Sequence, residues 1–136
     1  MAERKTIARA RRDKREGKSA STQAGEFVRE EIEHIREGKH GARSTKQAIA
    51  IALSKARRAG VKLPPPGPGQ ASPQTRKRAE SDYQAGQSHP AQKPSKTRSR
   101  ATMKALKRES HRAASHEALS HQAHAAAKRR RKRQES

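Results

Sequence analysis

Residues 22–63 read TQAGEFVREEIEHIREGKHGARSTKQAIAIALSKARRAGVKL, and the spacing of their apolar side chains decides the fold class. Ala24, Phe27, Val28, Ile32 and Ile35 recur three to four apart, the period of one helix face, with Glu31 the one polar residue among them. Ser21 or Thr22 can cap the start, and Gly38 stands where a helix-ending glycine belongs, so a helix is predicted over 22–37. The second half repeats the pattern. Ile49 and Leu53 are four apart, Ala48, Ala52 and Ala56 widen the stripe, and Ser44 and Gln47 have capping-box spacing. Lys55, Arg57 and Arg58 crowd the last turn, where cations suit the negative end of the helix dipole, and Gly60 then stops a helix predicted over 45–59. Val61 and Leu63 can fold back on the apolar face before Pro64, Pro65 and Pro66 end the element. The expected core is Phe27, Val28, Ile32, Ile35, Ile49, Leu53, Val61 and Leu63.

The joints share one grammar. Arg15-Glu16-Gly17-Lys18 precedes Ser21-Thr22, and Arg36-Glu37-Gly38-Lys39 precedes Ser44-Thr45: helix stop, polar loop, N-cap, next helix. Upstream, residues 3–16 place Ile7, Ala8 and Ala10 among Arg9, Arg11, Arg12, Lys14 and Arg15 and read as a short basic helix, frayed when free because one large apolar side chain cannot hold it. The expectation is therefore an all-α fold, with two firm helices forming an antiparallel hairpin and one frayed helix before it. Downstream, Pro64–Pro73 reads as an extended spacer. Ser72-Pro73 can open a weak helix running to Gly86, residues 86–98 read as a second polar linker, and residues 99–127 are an Ala-rich stretch that would fold on a partner. This divides the chain into a basic arm (1–20), a hairpin module (21–63), a Pro/Gly linker (64–73) and a largely disordered or partner-ordered basic tail (74–136).

Composition narrows the function classes. The chain holds 34 Lys plus Arg against 13 Asp plus Glu, a net charge of +21. Val, Ile, Leu and Phe number 12 of 136 residues, and ten of them fall in residues 1–63, so any core is small and N-terminal. A charge excess this large repels itself unless a polyanion compensates it. With no cysteine, disulfides, thiolate metal sites and Cys nucleophiles are excluded. Met1–Ala20 has no apolar signal region, and Ala48–Leu53, the longest apolar run, is far short of a membrane span. A cytoplasmic chain with no membrane partner is expected.

The stretch KQAIAIALSKARRAG, Lys46 to Gly60, resembles a motif (KQAIAI, one residue, LS, one residue, AR) of small basic bacterial proteins of uncharacterised function. The flanking GEFVREEIEHIREGKHGARS and VKLPPP are similar to the longer Arg- and Ala-rich members. The resemblance covers residues 21–66 and implies a bacterial setting; some members carry the names DNA-binding or histone-like protein, and no functional residues are carried over from it.

The chemistry expected is polyanion binding. Lys and Arg neutralise phosphates and release condensed counterions, giving sequence-independent, salt-sensitive affinity. The candidate contacts are Arg9, Arg11, Arg12, Lys14 and Arg15, then Arg76, Lys77 and Arg78, then the six consecutive cations Lys128, Arg129, Arg130, Arg131, Lys132 and Arg133. DNA in the nucleoid is the first expected partner, with RNA or the ribosome as the alternative. Phe27 and Tyr83 are the only aromatics, too few for base stacking. A different class is a protein-interaction module built on the 22–63 hairpin, with tails that only solubilise it, and a homodimer through that hairpin would enlarge its core. Glu117, His121 and His124 share one helix face but lack a core to preorganise them, so neither metal nor cofactor is expected. No catalytic constellation or small-molecule site is read, and an enzyme is not expected.

Overall fold

The computed structural model describes residues 3–88 and 96–135, and every regular element in them is helical. In chain order these are α1 (Arg4–Arg15), α2 (Ala20–Arg36), α3 (Thr45–Arg58), α4 (Pro73–Ser88), α5 (Lys96–Lys107), a single 3-10 turn (Arg112–Ala114) and α6 (His116–Glu135). Part of the polar linker expected over 86–98 lies outside the described residues.

Three helices end in the same way, for one physical reason. Gly17, Gly38 and Gly60 adopt φ of 79°, 79° and 100°, a left-handed conformation open to residues without a Cβ. Each closes a Schellman motif: Lys18 N–H reaches Asp13 C=O (2.9 Å), Lys39 N–H reaches His34 C=O (3.0 Å), and Val61 N–H reaches Ala56 C=O (3.1 Å). The starts differ slightly from expectation. α2 begins at Ala20 because Ser19, rather than Ser21 or Thr22, caps it, its hydroxyl accepting from Thr22 N–H at 3.2 Å. α3 is capped by Ser44, which accepts from Gln47 N–H at 3.1 Å, while the Gln47 side chain accepts from Arg43 N–H at 2.6 Å.

Packing divides into two clusters along α2. Ala10, Ala24, Phe27, Ala52, Ala56 and Val61 form the first, with Ile7, Val28, Leu53 and Leu63 against its edge. Ile32, Ile35, Ala42, Ala48, Ala113 and Ala114 form the second, edged by Val28 and Leu119. Ile49, expected in the core, is half-buried and belongs to neither. The reason is rotational: Ala48, Ala52 and Ala56 repeat every four residues and form the inner row of α3, and Ile49 stands about 100° round the helix from Ala48. Val28, Leu53 and Leu63 likewise lie at the rim rather than the centre.

α1 is not frayed. Its inward row Thr6, Ala10 and Asp13 is buried on α2, and polar contacts do what apolar area could not: Thr6 Oγ1 donates to Glu30 Oε1 at 3.0 Å, and Glu3 N–H donates to the same oxygen at 2.6 Å. α4 packs on α3. Asp82 accepts from Ser54 Oγ and from Arg58 Nε, each at 2.7 Å, and a Cβ at Gly86 would collide with the Arg57 carbonyl. Arg57, itself buried, donates to the carbonyls of Leu63 and Pro64 at 3.1 Å and turns the proline run back along the fold.

The C-terminal region also departs from the expected disorder. The Ala-rich stretch is two helices interrupted by the 3-10 turn, and that interruption is where it docks. Gly41 N–H donates to Leu106 C=O (2.9 Å), Ala42 N–H to Ser110 C=O (3.0 Å), Thr45 Oγ1 to Ala113 C=O (2.5 Å) and Arg36 Nε to Ala114 C=O (3.0 Å). Leu106, Ala113 and Ala114 are buried there. Ser115 then restarts the helix, accepting from Ala118 N–H at 3.1 Å.

Candidate nucleic-acid interface and a buried polar centre

Because Thr6, Ala10 and Asp13 occupy the inward row of α1, its cations face outward: Arg9, Arg11, Arg12, Lys14 and Arg15 are all exposed. On α4, Lys77 and Arg78 are exposed, whereas Arg76 is half-buried and donates from Nε to Pro66 C=O at 3.3 Å, so part of its capacity is used on the linker. Lys128 through Arg133 are exposed along the C-terminal end of α6. These groups lie on separate elements: α1 packs on α2, α4 on α3, and α6 on α3 and the 3-10 turn. The structure adds a fourth group that sequence reasoning missed. Arg100, Met103, Lys104, Lys107 and Arg108 line a shallow open groove along α5. The signal was present as cations at i, i+4 and i+7, one helix face.

The acids behave oppositely. Asp13, Glu30, Glu31 and Asp82 are buried, four of the thirteen carboxylates in the chain. Asp13 meets Lys18 Nζ at 3.5 Å, Glu30 meets α1, Glu31 meets Lys55 Nζ at 2.7 Å, and Asp82 meets Ser54 and Arg58. At the surface, Glu33 pairs with Arg29 (3.1 Å) and Glu37 with Lys39 (3.3 Å). Four acids thus face inward and several others pair with neighbours, while the cation groups face solvent.

Glu3, Glu30, Glu31, His34, His40 and Lys55 meet in one polar centre where α1, α2, the 38–44 loop and α3 come together. His34 Nε2 and Glu3 Oε1 lie 3.0 Å apart. Hydrogen bonds from His34 and Lys5 hold the Glu3 carboxyl down to about 2, below the usual carboxylate range. His40 Nδ1 meets Gly41 O at 2.8 Å, and His40 Nε2 lies 3.0 Å from Glu31 Oε1, with both side chains buried. Glu31, read from the sequence as a polar intruder on an apolar stripe, is therefore the hub of a network. By contrast, Glu117, His121 and His124 are exposed on α6. The groups of three metal-ligand-type side chains that the described residues bring together lie instead in the polar centre: Glu31, His34 and His40, and Glu3, Glu30 and His34.

Fold and surface together define a strongly basic all-helical protein whose buried acids organise its interior. Among the described residues no helix is long and apolar enough to cross a membrane. Residues 11–66, 56 of the 136, match the profile of a family of unknown function (DUF6496), a stretch covering part of α1 and all of α2 and α3. No curated protein and no solved structure matches the chain.

Proposed function

We propose that this protein binds nucleic acid, duplex DNA foremost, through sequence-independent contacts from Lys and Arg to phosphates, as an accessory nucleoid-associated protein of a bacterial cell. The observation that carries the reading is the segregation of charge: a chain of net +21 buries Asp13, Glu30, Glu31 and Asp82 and turns its cation groups to solvent. A surface so one-sided attracts polyanions and releases their counterions on contact. Phosphate partners are assigned to Arg9, Arg11, Arg12, Lys14 and Arg15 on α1, Lys77 and Arg78 on α4, the groove cations of α5, and Lys128–Arg133 on α6. Arg76 contributes less, because its Nε is engaged by Pro66. The α2–α3 hairpin serves as scaffold, and Phe27, the one phenylalanine, is wholly buried rather than available for stacking.

The direct test is anisotropy titration with two labelled duplexes of unrelated sequence, then competition by structured RNA at the same salt. Equal affinities for both duplexes, on the order of micromolar near physiological salt, are expected of backbone binding. A preference of more than about tenfold for one duplex would point to base reading instead. Complete displacement by RNA at lower concentration than by DNA would reassign the partner to RNA.

A further inference from the structure

Four side-chain polar atoms among the described residues are buried without a hydrogen-bond partner: Asp13 Oδ2, Glu30 Oε2, Glu31 Oε1 and His40 Nε2. The last three belong to the polar centre. Buried polar atoms are almost always satisfied, so two orphans in direct apposition, Glu31 Oε1 and His40 Nε2, call for a ligand. Glu31 Oε1 and His40 Nε2 face each other at 3.0 Å in residues 1% and 2% exposed, yet outside hydrogen-bond geometry.

The tautomer sharpens the point. His40 Nδ1 lies 2.8 Å from the Gly41 carbonyl, which can only accept, so Nδ1 carries the proton. In a neutral imidazole Nε2 then presents a lone pair, and it presents it to a carboxylate oxygen. Two acceptors at 3.0 Å repel unless a proton or a metal ion lies between them. Backbone-carbonyl anchoring of one imidazole nitrogen while the other coordinates is the usual outer-shell arrangement of metal-bound histidine. Ligand atoms on a tetrahedral ion with bonds of about 2.0–2.1 Å stand roughly 3.3 Å apart, close to the observed spacing. A ring nitrogen of His34 completes a trio whose donor atoms all lie within 4.8 Å of one another. Lys55 does not take the place of the ion, because it holds Glu31 Oε2 and leaves Oε1 available.

We propose that Glu31, His34 and His40 form a binding site for a divalent transition-metal ion of the zinc type. Two imidazoles with a carboxylate suit zinc and cobalt and disfavour magnesium and calcium, which take oxygen donors. Glu3, 3.0 Å from His34 Nε2, orients that ring from outside, and Glu30 lies beside it in the second trio. The ion ties α2 to the 38–44 loop. Gly41, next to His40, receives the C-terminal region at Leu106, so metal occupancy also steadies the seat on which that region docks.

The test uses the full chain stripped of metal. Titration with cobalt should develop visible d–d absorption that saturates at one equivalent and is abolished by zinc. In nitrogen-15 spectra of the unmodified protein, zinc should shift the His34 and His40 side chains and leave His111, His116, His121 and His124 in place. H40Q should weaken cobalt binding by about 100-fold or more, with helicity followed by circular dichroism. Cobalt affinity unchanged in H40Q would overturn the proposal. So would His40 resonances that report an imidazolium and do not move on zinc addition, a result that assigns the 3.0 Å contact to an ion pair and requires no variant to fold.

Discussion

Residues 1–63 carry 17 cations and 8 acids, and residues 64–136 carry 17 and 5. The two halves carry equal numbers of cations, yet they are held in different ways. In the first, acids sit inside and act as partners: Glu30 for the start of α1, Glu31 for Lys55, Asp13 for Lys18. In the second, from α5 onward, buried contacts are made by Leu106, Ala113 and Ala114 and by backbone carbonyls given up to Gly41, Ala42, Thr45 and Arg36. α4 stands between the two modes, using one internal acid, Asp82, and one close backbone approach at Gly86. Helix existence and helix anchoring are thus separate matters in a charge-rich chain. Where an acid can be buried against a neighbour, even an arginine-rich helix such as α1 becomes part of a core.

The largest effect expected from breaking this contrast is F27A. Phe27 is fully buried at the centre of the first cluster, and truncation there costs about 3–5 kcal/mol. For so small a core that removes most cooperative unfolding of α1–α3, read by denaturant titration of the circular dichroism signal; a variant that unfolds as the parent does would place the core elsewhere.

Next come the two glycine positions, each of which isolates one mode. A Cβ at Gly41 would overlap the Glu109 carbonyl, and a Cβ at Gly86 the Arg57 carbonyl. Overpacking of this kind costs roughly 1–3 kcal/mol. G41A should speed amide exchange in the 3-10 turn and its neighbours while α2 and α3 keep their protection. G86A should release α4 alone. Loss of protection throughout α1–α3 in G41A would mean that the C-terminal region is integral to the N-terminal core.

The smallest pair compares caps. S44A removes the hydroxyl that accepts from Gln47 N–H, and S115A the one that accepts from Ala118 N–H. Each costs about 1 kcal/mol locally. In S44A the loss should appear in the global unfolding midpoint, because α3 contributes to both clusters. In S115A it should appear only as faster exchange at the start of α6.

The period of residues 22–63 revealed α2, α3 and their glycine stops, because apolar spacing and helix-terminating glycines act locally. The anchoring of α1 was hidden, since its signal is the pairing of Thr6 with Glu30, which no periodicity of apolar residues reports. Glu117, His121 and His124 are the ligand-type side chains whose spacing alone puts them on one helix face. The converging ligand-type side chains are instead Glu31, His34 and His40, whose meeting depends on the Gly38 turn folding His40 back over α2. Likewise the docking of 106–114 depends on backbone groups, and backbone groups leave no trace in residue type. The exposed cations of α1, Lys77, Arg78 and Lys128–Arg133 were legible because exposed charge is what a cation run implies by default.

The proposed nucleic-acid affinity rests on these outward cations and not on the folded interior. It is tested most directly by titrating duplex DNA against salt for the full chain and for a chain ending at Ala127. The full chain should show a steep negative slope of log affinity against log salt. Removing Lys128–Arg133 should reduce that slope by up to about 5, at roughly 0.9 for each phosphate these six cations neutralise. An unchanged slope after the deletion, or a shallow slope in the full chain, would contradict it.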